Sequence, residues 1–139
     1  NRVIAAYQQL GFKLVVDPSV NYSGYFDARS RSITMKQIDD SVYHELGHFL
    51  AFIAGNVDKT ASFQSIFAAE KANVTAFNKA YVTQNASEYF AESVKDYILN
   101  NASLKNTRPQ TYAAVQNALN QITDAQIAKI QKIYGAFWN

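Results

Sequence analysis

The chain has 139 residues, 48% of them hydrophobic, with thirteen Lys and Arg against eleven Asp and Glu, a net charge of +2 and a pI of about 8.8. That length suits one domain with its own core and is short for two, and the scattered basic residues form none of the clusters that nucleic-acid binding requires. The longest apolar run, FLAFIA at 49–54, falls far short of the ~20 residues a membrane-crossing helix needs.

Cysteine is absent, which removes disulfides, thiolate ligands and a thiol nucleophile together, so any metal must be held by nitrogen and oxygen. The sequence begins Asn-Arg-Val rather than Met. The expectation is a secreted bacterial protein whose signal peptide lies upstream.

In chain order, NRVIAAYQQL carries Val3, Ile4, Tyr7 and Leu10 at helical spacing and stops at Gly11, a residue suited to a C-terminal cap. FKLVV at 12–16 is rich in β-branched residues, ends at Asp17-Pro18, and reads as a strand. YSGYFDARSRSITMK holds two β-prone runs around a polar turn near Asp27 to Ser30, which predicts a hairpin. From Ile38 to Ala54, apolar residues recur every three or four positions, with Asp39 or Asp40 as N-cap and Gly55-Asn56 as a stop, giving the clearest helix in the chain. Residues 60–80 read as helical with a wandering phase, and residues 86–100 as a helix with Phe90, Val94, Tyr97 and Ile98 on one side. After NTRP, helices over about 110–121 and 124–134 are expected. Strands first and helices later make the class α+β: one domain with a sheet-bearing part over about 1–37, a helix over about 39–54 and a helical part over about 60–139.

The only two histidines, His44 and His48, stand four apart on the clearest helix with Glu45 between them. Residues four apart share a helix face, so both imidazoles can meet one ion. This is the His-Glu-x-x-His arrangement of zinc hydrolases, in which the glutamate serves as general base and acid. Such sites take three protein ligands and keep one position open; with no other histidine or cysteine, the third must be an oxygen donor. Glu88 and Glu92 stand four apart on one expected helix, so one can bind metal while the other accepts the outer N–H of a ligating histidine. A solvated face with a capping box at Asn85-x-x-Glu88 is the alternative reading of the pair. Asp96 continues their stripe as a weaker supporting candidate.

HELGH followed by YVTQNASEYFAES resembles the catalytic domain of anthrax lethal factor and the related Pro-Pro endopeptidases, and the later RPQTYAAVQNAL is similar to a stretch that follows in that family. The resemblance spans roughly Asp40 to Leu119 and implies a small zincin-like fold of the gluzincin type. It implies Glu88 as third zinc ligand, Glu92 as support for a zinc histidine and Tyr81, seven residues before Glu88, as oxyanion stabiliser. It further implies a substrate strand pairing with an edge strand beside the active-site helix, for which Ile33, Thr34 and Met35 in SITMK are the candidates. Trp138 is the only tryptophan, so the tryptophan-bearing loop of the Pro-Pro enzymes has no counterpart and their bond preference is not carried over.

The resulting expectation is a monomeric, secreted, toxin-like zinc endopeptidase with one Zn²⁺ per chain acting on protein or peptide. An inactive zinc-binding interaction module of the same fold is the alternative. An aminopeptidase would need an acid for the substrate's free amine, with Glu70 among the unassigned acids. Phe63, Phe67, Phe77, Phe137 and Trp138 are expected in the core, and Lys and Arg on the surface.

Overall fold

A computed structural model describes residues 2–138. Helix α1 (Arg2–Gln9) buries Val3, Ala6 and Tyr7 and is closed by Gly11 at φ +80°, a left-handed conformation that glycine adopts without a Cβ penalty. Strands β1 (Lys13–Val16), β2 (Gly24–Asp27) and β3 (Ser32–Met35) follow. The Asp27 carboxylate accepts from the Arg29 N–H and the Ser30 hydroxyl, which fixes the turn of the expected hairpin.

The sheet order is β1-β3-β2, with β1 parallel and β2 antiparallel to β3. SITMK is therefore the central strand, not an edge. Ile33 and Met35 are fully buried, and β3 has neighbours on both sides, so none of Ile33, Thr34 or Met35 can offer a free backbone edge to a substrate. The local sequence marks a strand, but strand order is set by the parallel crossover of β1, which period-two patterning does not carry.

Helix α2 (Ser41–Ile53) starts three residues later than its apolar pattern. Asp39 accepts from the Ser41 N–H, while Asp40 occupies the N-cap with no side-chain cap and Ile38 is left exposed before the helix. The helix stops where Gly55 and Asn56 both take positive φ.

The out-of-phase stretch resolves into α3 (Ala61–Glu70), a single 3₁₀ turn at Lys71–Asn73, and a short α4 (Lys79–Val82). Helix α5 (Ala86–Leu99) is capped by Asn85 accepting from the Glu88 N–H. The unforeseen α6 (Asn101–Thr107) leads to α7 (Pro109–Asn120) and α8 (Asp124–Trp138).

Helix α2 runs through the middle of the molecule: Phe49, Leu50 and Ile53 are fully buried, against Tyr7 and Phe12 on one side and Phe63, Phe90, Val115 and Ile130 in the same core. Several expectations need correction. Phe77 and Phe137 are exposed, whereas Phe63 and Phe67 are in the core and Trp138 packs half-buried against Phe12. Arg108 is buried, because it pairs with Asp96 at 2.6 Å and lies over the Tyr89 ring. Asp96 thus holds Arg108, not the histidines. Glu70 is buried too, accepting from the Gln110 and Thr111 N–H groups; it satisfies the open N-terminus of α7 and is no receptor for a substrate amine.

Candidate metal centre

Its assembly begins with a glycine. A Cβ on Gly47 would lie 2.6 Å from the Ala91 carbonyl oxygen and 2.7 Å from the Ala91 Cα, so only hydrogen fits, and α2 and α5 pack backbone to backbone there. The histidines flank Gly47 along α2 and the glutamates flank Ala91 along α5. The close approach of the two small residues therefore brings the four functional side chains within reach of one another.

Glu88 Oε1 lies 2.9 Å from His44 Nε2 and 3.2 Å from His48 Nε2. One ligand atom from each of His44, His48 and Glu88 can be chosen so that all lie within 4.8 Å of one another. A tetrahedral zinc with bonds of about 2.0–2.1 Å has donor–donor edges of roughly 3.3–3.4 Å, so the two edges from Glu88 Oε1 to the imidazoles need to open by only a few tenths of an ångström to match it. The donor chemistry fits as well, two imidazole nitrogens and one carboxylate oxygen. Glu92 Oε1 stands 2.8 Å from His44 Nδ1. With Nδ1–H donating outward to Glu92, Nε2 is the nitrogen left to take an ion once its own proton is displaced, the usual arrangement for a metal-binding histidine.

The electrostatics follow from this crowding. Burial alone would lower the His44 pKa, but hydrogen bonds to Glu88 and Glu92 and the nearby carboxylate charges outweigh it and lift it to about 9. Burial pushes the Glu88 and Glu92 carboxyls up, yet the imidazoles, with Lys95 beside Glu92, hold both below the ordinary value. Glu45 shows the opposite balance: burial raises its pKa, against the pull of His44 and His48.

Glu45 is buried beside the ligands, facing β2. A Cβ on Gly24 would lie 2.9 Å from Glu45 Cγ and 3.1 Å from its Oε2, so glycine in this strand makes the room that the carboxylate occupies. A cleft of about 430 Å³ opens beside it, with His44, Glu45 and Glu92 on one wall and Tyr81, Phe77 and Tyr22 around the rim. The Tyr81 ring is 6.3 Å from the His44 ring, and the residue is half exposed. Burial and then the Glu88 and Glu45 charges raise its phenol pKa, so it keeps its proton as a donor.

His44, Glu45, His48, Glu88, Glu92 and Tyr81 thus gather in one place, while Ile33, Thr34 and Met35 lie in the sheet behind it. Sequence reasoning missed Gly24 and Gly47. A glycine inside a strong helical pattern was the available signal for Gly47, since such a residue costs helix stability unless close packing needs it.

A family model described as anthrax toxin lethal factor, N- and C-terminal domain, matches residues 21–118, the stretch that contains every site residue named above. No significant match exists among curated proteins. The family description covers both an N- and a C-terminal domain, so membership does not by itself carry an activity. By a match over well more than half its length, the chain belongs to the family of the anthrax toxin lethal factor N- and C-terminal domain.

Proposed function

We propose that the protein is a zinc-dependent endopeptidase of zincin-like fold, a secreted, toxin-like enzyme that hydrolyses peptide bonds in the cleft beside Glu45. The observation that carries this reading is the convergence of His44, His48 and Glu88 next to a buried carboxylate at an open cleft. A metal-holding module with no catalytic task needs the three ligands, but neither Glu45 nor the gap that Gly24 leaves for it.

His44 Nε2, His48 Nε2 and a Glu88 oxygen would hold a zinc ion, which would supply Lewis acidity toward the attacking water and the substrate carbonyl. Glu45 takes the proton of the attacking water at its carboxylate and returns it to the departing amine nitrogen. Burial raises its pKa above the ordinary carboxyl value, which makes the carboxylate a stronger proton acceptor than a solvated one. Tyr81 donates its O–H to the carbonyl oxygen as negative charge builds there, a contribution absent from the ground state. Glu92 keeps Nδ1 of His44 protonated and the ring oriented.

An extended peptide needs a free strand edge. Among the described residues strand β2 pairs on one side only, and its Gly24 lines the cleft; this edge takes the place of the one expected at β3. No helix among the described residues is long and apolar enough to cross a membrane.

The test is to incubate the zinc-loaded protein and its Glu45→Gln variant with a mixed peptide library and identify new termini by mass spectrometry. Cleavage by the parent, reduced by a factor on the order of 10²–10⁴ in the variant, is the expected result. An inert parent with about one zinc per chain would overturn the enzyme and favour the binding module.

A further inference from the structure

We infer that Lys95 selects the substrate by binding a carboxylate of the peptide, either an acidic side chain near the cleaved bond or a free C-terminus; the inference rests on the peptidase reading above. Lys95 follows Glu88 by seven residues and Glu92 by three on α5. Those intervals put all three on one helix face, and Lys95 lines the same cleft as His44 and Glu45.

The neighbouring acids have other partners. Glu92 gives Oε1 to His44, and its Oε2 stands 3.8 Å from Lys95 Nζ, too far for a hydrogen bond. Asp39, whose carboxylate feels the Lys95 charge, accepts from Ser41 and Gln37. No hydrogen bond from the Lys95 ammonium is found among the described residues, although such a group carries three donors.

Lys95 is thus the lysine of a cleft whose other lining includes aromatic, hydroxyl and carboxylate groups, and among the described residues its ammonium makes one long ion pair and no hydrogen bond. Its side chain is 28% exposed, sheltered enough for a charge to be felt and open enough for a ligand to reach it. Tyr22 and Phe77, which line the same cleft, offer apolar surface to the carbon stem of an acidic side chain. The competing role is a plain counter-charge for Glu92. That role would make changes at Lys95 act on metal affinity and on every substrate alike.

The experiment uses the zinc-loaded protein, with Lys95→Gln, Lys95→Arg and Lys95→Glu variants matched for zinc content. Quenched peptides around a cleaved sequence carry Asp or Glu against Asn or Gln at each of the positions flanking the bond. A second series of short peptides differs only in a free or amidated C-terminus. The parent is expected to favour one carboxylate-bearing series by about tenfold in kcat/KM, the scale of one partly exposed charge-assisted hydrogen bond. The ratio should shrink in 1 M salt, persist in part in Lys95→Arg, fall to about one in Lys95→Gln, and turn in favour of basic peptides in Lys95→Glu. Which series shows the ratio identifies the source of the carboxylate. Cleavage with no such ratio in the parent, or a ratio unchanged in Lys95→Gln, overturns this inference and leaves the peptidase standing. No cleavage by the zinc-loaded parent overturns both.

Discussion

The crossing of α2 and α5 and the rim of the cleft contribute to the same site but are held in opposite ways. At the crossing, Gly47 meets the Ala91 backbone with no spare volume, and His44, Glu88 and Glu92 are joined by bonds of 2.8–2.9 Å. At the rim, Tyr81 is half exposed and Phe77 is fully exposed on the loop before a four-residue helix. Groups that must meet an ion within tenths of an ångström are fixed by packed backbone, whereas groups that would meet a variable peptide are left free. Packing tolerance therefore separates the chemistry from whatever selects the substrate.

The strongest way to break this arrangement is to fill the crossing. Gly47→Val places methyl groups where the Ala91 carbonyl and Cα already stand, and backbone of a packed helix cannot step aside as a flexible side chain can. A loss of about 3 kcal/mol in unfolding free energy is expected, read as a lower denaturant midpoint at unchanged slope, together with loss of zinc binding. Wild-type midpoint and zinc affinity would show that the helices tolerate separation and that the glycine is incidental. Next in size is Glu92→Gln, which keeps the shape but removes the charge facing His44 Nδ1. Zinc affinity should fall 10–100-fold with little change in fold, as competition with a chelator would report.

The legibility of these two regions in the sequence differs for the same reason. His44, Glu45 and His48 were readable because a helix's own period places them, and the pairing of Glu88 with Glu92 was readable as a second four-residue interval. The position of Glu88 between both imidazoles depends on a helix crossing some forty residues away in sequence, and there spacing left a solvated face open until the resemblance chose. Strand order failed for a related reason. SITMK has the composition of a strand, but whether β3 is central depends on where β1 returns, a nonlocal choice. Phe77 and Arg108 were misplaced by average burial tendencies, which hold for core aromatics and surface cations but not for an aromatic at a cleft mouth or for an arginine paired with Asp96.

A smaller effect tests the electrostatics of the crossing. The His44 pKa is raised from 6.5 to about 9, so near pH 7 the metal-free protein carries a proton on this imidazole, and zinc can take Nε2 only by displacing one. Calorimetric titration in buffers of different ionisation enthalpy should show His44 contributing one released proton at pH 7, declining through pH 9. The sign for stability is the same. A pKa raised on folding stabilises the metal-free fold fully below about pH 6.5, and that contribution is lost as pH rises through about 9. The lowered pKa of Glu88 acts at the other end, its contribution present above 4.5 and lost as pH falls below it. Zinc binding without proton release at pH 7 would mean that the carboxylates do not hold His44 charged.

The smallest effect on stability is expected at the rim, where Phe77→Ala should change the unfolding free energy by no more than about 0.5 kcal/mol. The ring is fully exposed, so its removal leaves no cavity and withdraws no apolar surface from the core; the only energy it can carry is with something that arrives from outside. The same variant should therefore raise KM for peptides with a bulky apolar residue near the cleaved bond while leaving the melting temperature in place. Glu92→Gln should do the reverse, weakening zinc while leaving the ranking of peptides unchanged. If Phe77→Ala instead lowered stability and left KM alone, the ring would be packed in solution, and the division between a fixed centre and an adaptable rim would fail at the residue where it is drawn most sharply.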